Sequence, residues 1–180
     1  GAGNVLNDVI DSGVAHVTRL SQIFRQEDDS HIISNAHRIN EGQMPYTDNE
    51  SSDFYFFNMS DPEEAAEMVV DLVAERLKRK IGDYDAIQDI QVIAPMYRSP
   101  VGVTRLNELL QEALNPAGRR AEKKLGYKIF RVGDKVMQTK NNYDKEVFNG
   151  DIGIIQGIDD DENSIRVAID GQFIDYDYTD

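Results

Sequence analysis

The stretch Ile90-Gln91-Val92-Ile93-Ala94-Pro95-Met96-Tyr97-Arg98 constrains the fold more than any other part of the chain. Its β-branched run lacks strict alternation and is bracketed by two helical patterns, which fits a strand covered on both faces of a parallel sheet. Pro95 cannot continue a ladder and marks the end of that strand. In open parallel sheets ligands sit beyond the carboxyl ends of the strands, so Met96, Tyr97 and Arg98 stand where binding or chemistry is expected.

The flanking segments fit the same plan. Residues 4–12 have helical apolar spacing and stop at Gly13, and residues 15–20 read as a strand. Ser30 is a cap for a helix whose stripe is Ile32, Ile33, Ala36 and Ile39, closed by Gly42. Phe54-Tyr55-Phe56-Phe57 reads as a short buried strand. Asp61-Pro62-Glu63-Glu64 starts a helix that runs to Gly82, with acids at the positive end of the dipole. Val103, Leu106, Leu109, Leu110 and Leu114 mark another, ended by Asn115-Pro116. Strand and helix alternate, which predicts a three-layer α/β domain with a parallel sheet. After Tyr127 the pattern changes to short β-rich segments at 135–138, 152–158, 164–169 and 172–176, separated by Gly, Asn and Asp turns. The expected division is therefore residues 1–126 as the α/β domain and 127–180 as a small antiparallel barrel. Within that barrel Phe148 is expected in the core, at a tight Phe148-Asn149-Gly150-Asp151 turn.

Composition narrows the function classes. The 180 residues carry no cysteine and three histidines without metal-ligand spacing, so no structural metal is expected. There is no apolar run long enough to span a membrane and no signal-peptide pattern, which makes a soluble, cytoplasmic protein the expectation. A formal net charge of −14 argues against a surface that coats nucleic acid generally. The charge is polarised, however, with cations crowding residues 119–145 and acids crowding residues 159–180. No Gly-x-x-x-x-Gly-Lys-Ser/Thr loop, Gly-x-Gly-x-x-Gly turn or Gly-x-Ser-x-Gly elbow is present, so a self-sufficient enzyme is not expected.

Arg25 follows the apolar pair Ile23-Phe24 directly after a strand candidate, which would anchor its backbone and aim the guanidinium outward. Its fixed charge and forked donors suit a phosphoryl group held by a neighbouring domain, the alternative being a surface pair with Glu27 or Asp28. Tyr97 and Arg98 combine a ring with a guanidinium, suited to stacking on a base or holding a phosphate, the alternative being that Tyr97 packs on the helix at 101–114 and Arg98 caps a carboxylate. Lys140, Asn141, Asn142 and Tyr143 combine a cation, amides and a ring, which suits single-stranded backbone but is also ordinary turn chemistry.

Three blocks resemble one family. Leu20-Ser21-Gln22-Ile23-Phe24-Arg25-Gln26 with Ser30, Ile33 and Ala36 is similar to the fourth conserved motif of RecD-like superfamily 1 DNA helicases, the exodeoxyribonuclease V alpha subunit family. Ile93–Arg98 with Gly102, Leu106, Asn107, Leu110, Gln111, Leu114, Asn115 and Pro116 resembles the next block. Residues 131–138, Asn141-Asn142-Tyr143 and 148–153 resemble the segment entering that family's SH3-like insertion. The resemblance implies a second RecA-like motor domain of the P-loop NTPase type, truncated at both ends and lacking the phosphate loop, followed by the SH3-like barrel.

On that resemblance Arg25 would touch the γ-phosphate of ATP and Gln26 would line the cleft between motor domains. ATP with Mg²⁺ would belong to the intact parent, with none expected on this piece alone. The parent would be an ATP-dependent helicase moving 5′ to 3′ on single-stranded DNA in recombination or repair. Expected partners are single-stranded DNA, gripped by Tyr97, Arg98 and the 140–143 loop, the first motor domain of the same parent, and subunits of a nuclease complex. Two other classes remain open from the residues alone: a non-enzymatic interaction module with an acidic barrel, and a stand-alone nucleotide-binding α/β protein.

Overall fold

In the computed structural model, which describes residues 4–19, 30–82, 84–118 and 120–179, the chain divides into two units, Gly1–Asn58 and Met59–Asp180. In the first unit, helix α1 (Val5–Ser12) ends where Gly13 turns left-handed at φ 68° and donates its N–H to the Ile10 carbonyl. Residues 15–19 form no strand, and Leu20 lies outside the described residues. Helix α2 (His31–Asn40) is capped as expected by Ser30, whose hydroxyl accepts from the Ile33 N–H and donates to Asp53 at 2.5 Å.

The buried face of α2 is not the expected one. Ile32 and Ile39 are exposed, and Asn35 is the fully buried residue. Its amide donates to the Tyr46 carbonyl at 3.0 Å and accepts from the Tyr46 N–H at 2.6 Å, tying the following loop to the helix. Asn49, at φ 61°, does the same for Phe56, donating at 3.0 Å and accepting at 2.6 Å. The Asn49 amide takes both backbone groups of Phe56 in place of a sheet neighbour; Phe54–Phe57 forms no strand, and Tyr55, Phe56 and Phe57 are not core.

In the second unit, Asp61 caps α3 (Pro62–Asp71) by accepting from the Glu63 and Glu64 N–H groups at 2.8 and 3.1 Å. A π-helical turn (Leu72–Arg76) joins α3 to α4 (Leu77–Ile81), which Gly82 stops. The Leu77 N–H donates to the Leu72 carbonyl, which frees the Val73 carbonyl, and the Tyr84 hydroxyl takes it at 2.9 Å. An inserted donor of this kind is a recognised cause of such a bulge. Helix α5 (Val103–Leu114) follows, with Leu106 buried.

The stretch from Ile90 to Pro95, expected as a parallel strand, has no ladder partner, and Ile93 is exposed. Its contact with the barrel is a side-chain bond, from Lys135 Nζ to the Ile90 carbonyl at 2.5 Å. A parallel strand makes no hydrogen bonds of its own and exists only where distant neighbours flank it. Among the described residues every ladder is antiparallel, so the expected parallel RecA-like sheet is replaced there by helices and extended segments.

The short strands expected from residue 135 onward are present. Strands β3 (Lys135–Met137), β4 (Ile152–Asp159), β5 (Ser164–Ile169) and β6 (Gln172–Asp177) follow the hairpin β1 (Glu122–Leu125) and β2 (Lys128–Arg131) and form one antiparallel sheet in chain order. The β5–β6 turn is Asp170-Gly171 with both φ positive, 48° and 80°, the type I′ geometry that fits strand twist. Ile155, Ile165, Val167, Ile169 and Val147 make the core, packed by Phe130, Val136 and Tyr176 among others. Gly153 sits where a Cβ would lie 2.5 Å from Val167 and 2.6 Å from the Ala168 carbonyl, which allows β4 to approach β5 closely. Phe148 is not in this core: Val147 is 2% exposed and fills the place, while Phe148 is 46% exposed. The hairpin β1–β2, with Lys123, Lys124 and Lys128 among its eight strand residues, escaped the sequence reading.

Candidate nucleic-acid interface

The N-terminus of α5 is closed by the chain just before it. Val103 N–H donates to the Met96 carbonyl at 2.9 Å and Thr104 N–H to the Tyr97 carbonyl at 3.3 Å, while Gly102 N–H donates to Ser99. A Cβ on Gly102 would lie 2.7 Å from the Tyr97 carbonyl oxygen, so this wrap requires glycine. With its backbone consumed in the cap, Tyr97 presents its side chain outward, 76% exposed. Arg98 is exposed and has no ion pair among the described residues. Both open onto a cleft of about 440 Å³ whose other walls include Thr104, Arg105 and Glu108 of α5 and Tyr127 of the β1–β2 turn.

The 140–143 loop forms a second surface. Asn142 and Val147 are bridged by paired backbone bonds of 2.8 and 3.0 Å. The Asn142 side chain accepts from Lys145 N–H, and the Asn141 side-chain Oδ1 accepts from Asn149 N–H at 2.9 Å. Most of the amide chemistry here is thus internal turn chemistry, which was one of the two readings. What the turn leaves outside is aromatic: Tyr143, 74% exposed, and Phe148 meet edge to face with centroids 6.0 Å apart. Lys140 is exposed beside them, and its carbonyl accepts from the Gln138 amide.

Between α5 and the barrel lies a polar latch. Asn115, 3% exposed, donates to the Asp134 carboxylate at 2.7 Å and the Val132 carbonyl at 3.2 Å, and accepts from Arg120 at 2.7 Å. Gln111 donates to Asp134 at 2.6 Å and to the Ile129 carbonyl at 2.9 Å. The buried Arg131 guanidinium bonds Glu122 at 2.7 Å, Glu112 at 3.3 Å and the Asn115 carbonyl at 3.1 Å. The Glu122 and Glu112 contacts hold its pKa above the ordinary arginine value against the opposing effect of burial. Gln111, Asn115, Arg131 and Asp134 are all residues of the family-like blocks, and here they prove to be partners of one another.

The polarised charge is partly internal as well. Lys123 pairs with Asp160 at 2.6 Å, Arg166 grips Asp175 with two bonds of 2.7 and 2.9 Å, and Lys145 donates to the Asp175 carbonyl. Lys135 has its pKa lowered by burial, an effect that Asp85 and Asp89 oppose.

Arg25 and Gln26 lie outside the described residues. Among the described residues no cluster of acids and histidines suits a metal ion, and no loop cradles a triphosphate, so no step of nucleotide chemistry is assigned to them. Sequence reasoning missed Arg105, Tyr127 and Phe148. Tyr127 follows Gly126, a turn signal that the position could have carried, whereas Arg105 has the look of any helix-surface cation. No helix of the described residues is long and apolar enough to cross a membrane.

Comparison with known proteins adds two findings. The family described as the SH3 domain of ATP-dependent RecD-like DNA helicases matches residues 106–169, from within α5 to the end of β5. The ATP-dependent RecD2 DNA helicase of Deinococcus radiodurans is 32% identical over 143 residues. That alignment covers 78% of this chain and 18% of the relative, so the chain spans less than a fifth of the protein it matches. The likeness to RecD-like helicases read from the sequence is borne out.

Proposed function

We propose that this chain is part of an ATP-dependent RecD-like DNA helicase and supplies a stretch of its track for single-stranded DNA. What supports this reading is the cleft beside α5, where Tyr97 and Arg98, which has no ion pair among the described residues, face solvent together in a chain otherwise strongly acidic. Rings stack on unpaired bases and cations hold the backbone, a pairing that serves strands of any sequence. The exposed Lys140, Tyr143 and Phe148 repeat that chemistry on the barrel, with Asn141 and Asn142 shaping the turn. In the proposed division residues 1–126 belong to a second motor domain and residues 127–180 to its SH3-like insertion. Arg25 and Gln26 would reach a nucleotide that another domain of the parent holds, and translocation would run 5′ to 3′. Subunits of a nuclease complex are further proposed partners.

The test is fluorescence anisotropy of a labelled oligothymidylate with this chain. Binding that weakens steeply with salt, together with no ATP turnover by the chain alone, is the expected result. No binding at low salt sinks the proposal.

One observation favours a second reading, a docking module for protein. Met137 and Ile152 are cross-strand partners whose side chains are both exposed, and Phe173 is exposed on the β6 edge strand. An exposed apolar sheet face is a common mark of a protein contact. Tight capture of a protein together with no affinity for DNA would favour it.

A further inference from the structure

Tyr127 and Arg105 open onto the same cleft as Tyr97 and Arg98. Tyr127 is 78% exposed at the β1–β2 turn, where Gly126 adopts φ 62°, so a short hairpin holds a large ring out in water. Its ring contact is with Lys128, whose ammonium lies 5.9 Å from the centroid and brings a further cation to the rim. The β1–β2 turn itself needs only the left-handed glycine, so packing gives no reason for an aromatic residue beside it. Arg105 pairs with Glu108 at 3.4 Å across one turn of α5, both half-exposed, and such a pair is weak enough to exchange for a phosphate. The first-turn N–H groups of Val103 and Thr104 are already taken by the Met96 and Tyr97 carbonyls. Anion recognition in the cleft therefore falls to the two guanidinium groups and not to the helix end.

The two walls are held in register. Gln111 bonds the Ile129 carbonyl, two residues past Tyr127, and Asn115 and Arg131 fix the base of the hairpin to the end of α5. A site whose walls are fixed before binding loses less entropy when it fills.

We propose that this cleft takes one nucleotide unit of an unpaired DNA strand, with Tyr127 stacking on the base and Arg105 and Arg98 on the flanking phosphates. The barrel hairpin and α5 then grip the same strand. This rests on the helicase reading and adds two residues to it, Tyr127 and Arg105. A paired base, stacked within a duplex, cannot offer its face to a ring on a hairpin tip, so the site is specific for single strands.

Anisotropy with labelled oligothymidylate between about 50 and 200 mM salt tests it. Tyr127→Ala is expected to weaken binding about fivefold or more, and Tyr127→Phe to leave it close to the unsubstituted value. On an abasic oligomer of the same length the Tyr127→Ala effect disappears, which a merely structural role would not produce. Arg105→Gln flattens the slope of log affinity against log salt by about 0.7, because one phosphate is no longer neutralised. If Tyr127→Ala and Arg105→Gln bind as tightly as the unsubstituted chain while Tyr97→Ala binds weakly, this inference is overturned and the helicase reading stands. If the unsubstituted chain binds no oligothymidylate, both are overturned.

Discussion

Replacing Asn115 by alanine probes the latch between α5 and the barrel. The side chain makes three hydrogen bonds, to the Val132 carbonyl, to the Asp134 carboxylate and from Arg120. The bond to a neutral carbonyl is worth about 1 kcal/mol net, and the one to a partly buried carboxylate about 2 kcal/mol. Arg120 is exposed, so water replaces its bond at little cost. Asp134 keeps its bonds from Gln111 and the Arg131 N–H, so it is not stranded. The expected loss is about 3 kcal/mol, which at a urea slope near 2 kcal/mol/M lowers the unfolding midpoint by about 1.5 M. Far-UV circular dichroism follows the transition, and hydrogen exchange should show faster exchange in the peptide spanning 122–131. Asn115→Asp keeps the shape but turns the donor toward Asp134 into a second carboxylate, 2.7 Å from the first, and should cost more than alanine at neutral pH. A midpoint that moves by less than about 0.3 M, or an aspartate no worse than alanine, would refute the latch as the element that joins α5 to the barrel.

The neighbours Val147 and Phe148 should respond oppositely to truncation. Val147→Ala removes two buried methyl groups and should cost about 2 kcal/mol in urea unfolding, whereas Phe148→Ala loses an exposed edge-to-face partner and should cost under about 1 kcal/mol while weakening oligothymidylate binding. Tyr178, partly buried against the barrel core and donating its hydroxyl to the Asp160 carboxylate at 2.7 Å, has its pKa pushed up to about 12. Because the folded value lies above the ordinary value near 10, its stabilising contribution is whole below about pH 10 and is lost as pH rises through about 12. An ultraviolet titration should show a phenolate step at about 12 that Tyr178→Phe abolishes, and persistence of that step would refute the assignment.

Local signals in this sequence were readable, and distant ones were not. Asp61 and Ser30 start helices and Gly13 ends one through atoms two or three residues away, so their roles follow from spacing alone. The strands β3 to β6 announce themselves by turns such as Asp170-Gly171. The run from Ile90 to Pro95 has the composition of a buried strand, yet composition cannot provide a partner, and the chain there is extended and unpaired. Helix α2 misled for a different reason: its isoleucine stripe suggests the buried face, while an asparagine that satisfies both backbone groups of Tyr46, eleven residues on, is what goes inside. Of the candidate site, Tyr97 and Arg98 were named from their place after Pro95, at the end of a strand that the structure does not form. Tyr127 and Arg105 join them only through the packing of the hairpin on α5, a contact between residues some twenty positions apart that no short motif encodes.

The way Arg131 is housed also decides where this polypeptide can be cut. Its guanidinium socket is built from Glu112 and the Asn115 carbonyl on the helix and from Glu122 on the hairpin. A chimera joined at Tyr127 would import the arginine without Glu112, Glu122 and the Asn115 carbonyl that hold it. The smallest transplantable cassette that keeps this socket therefore starts at Val103, where the helix that carries Glu112 and Asn115 begins.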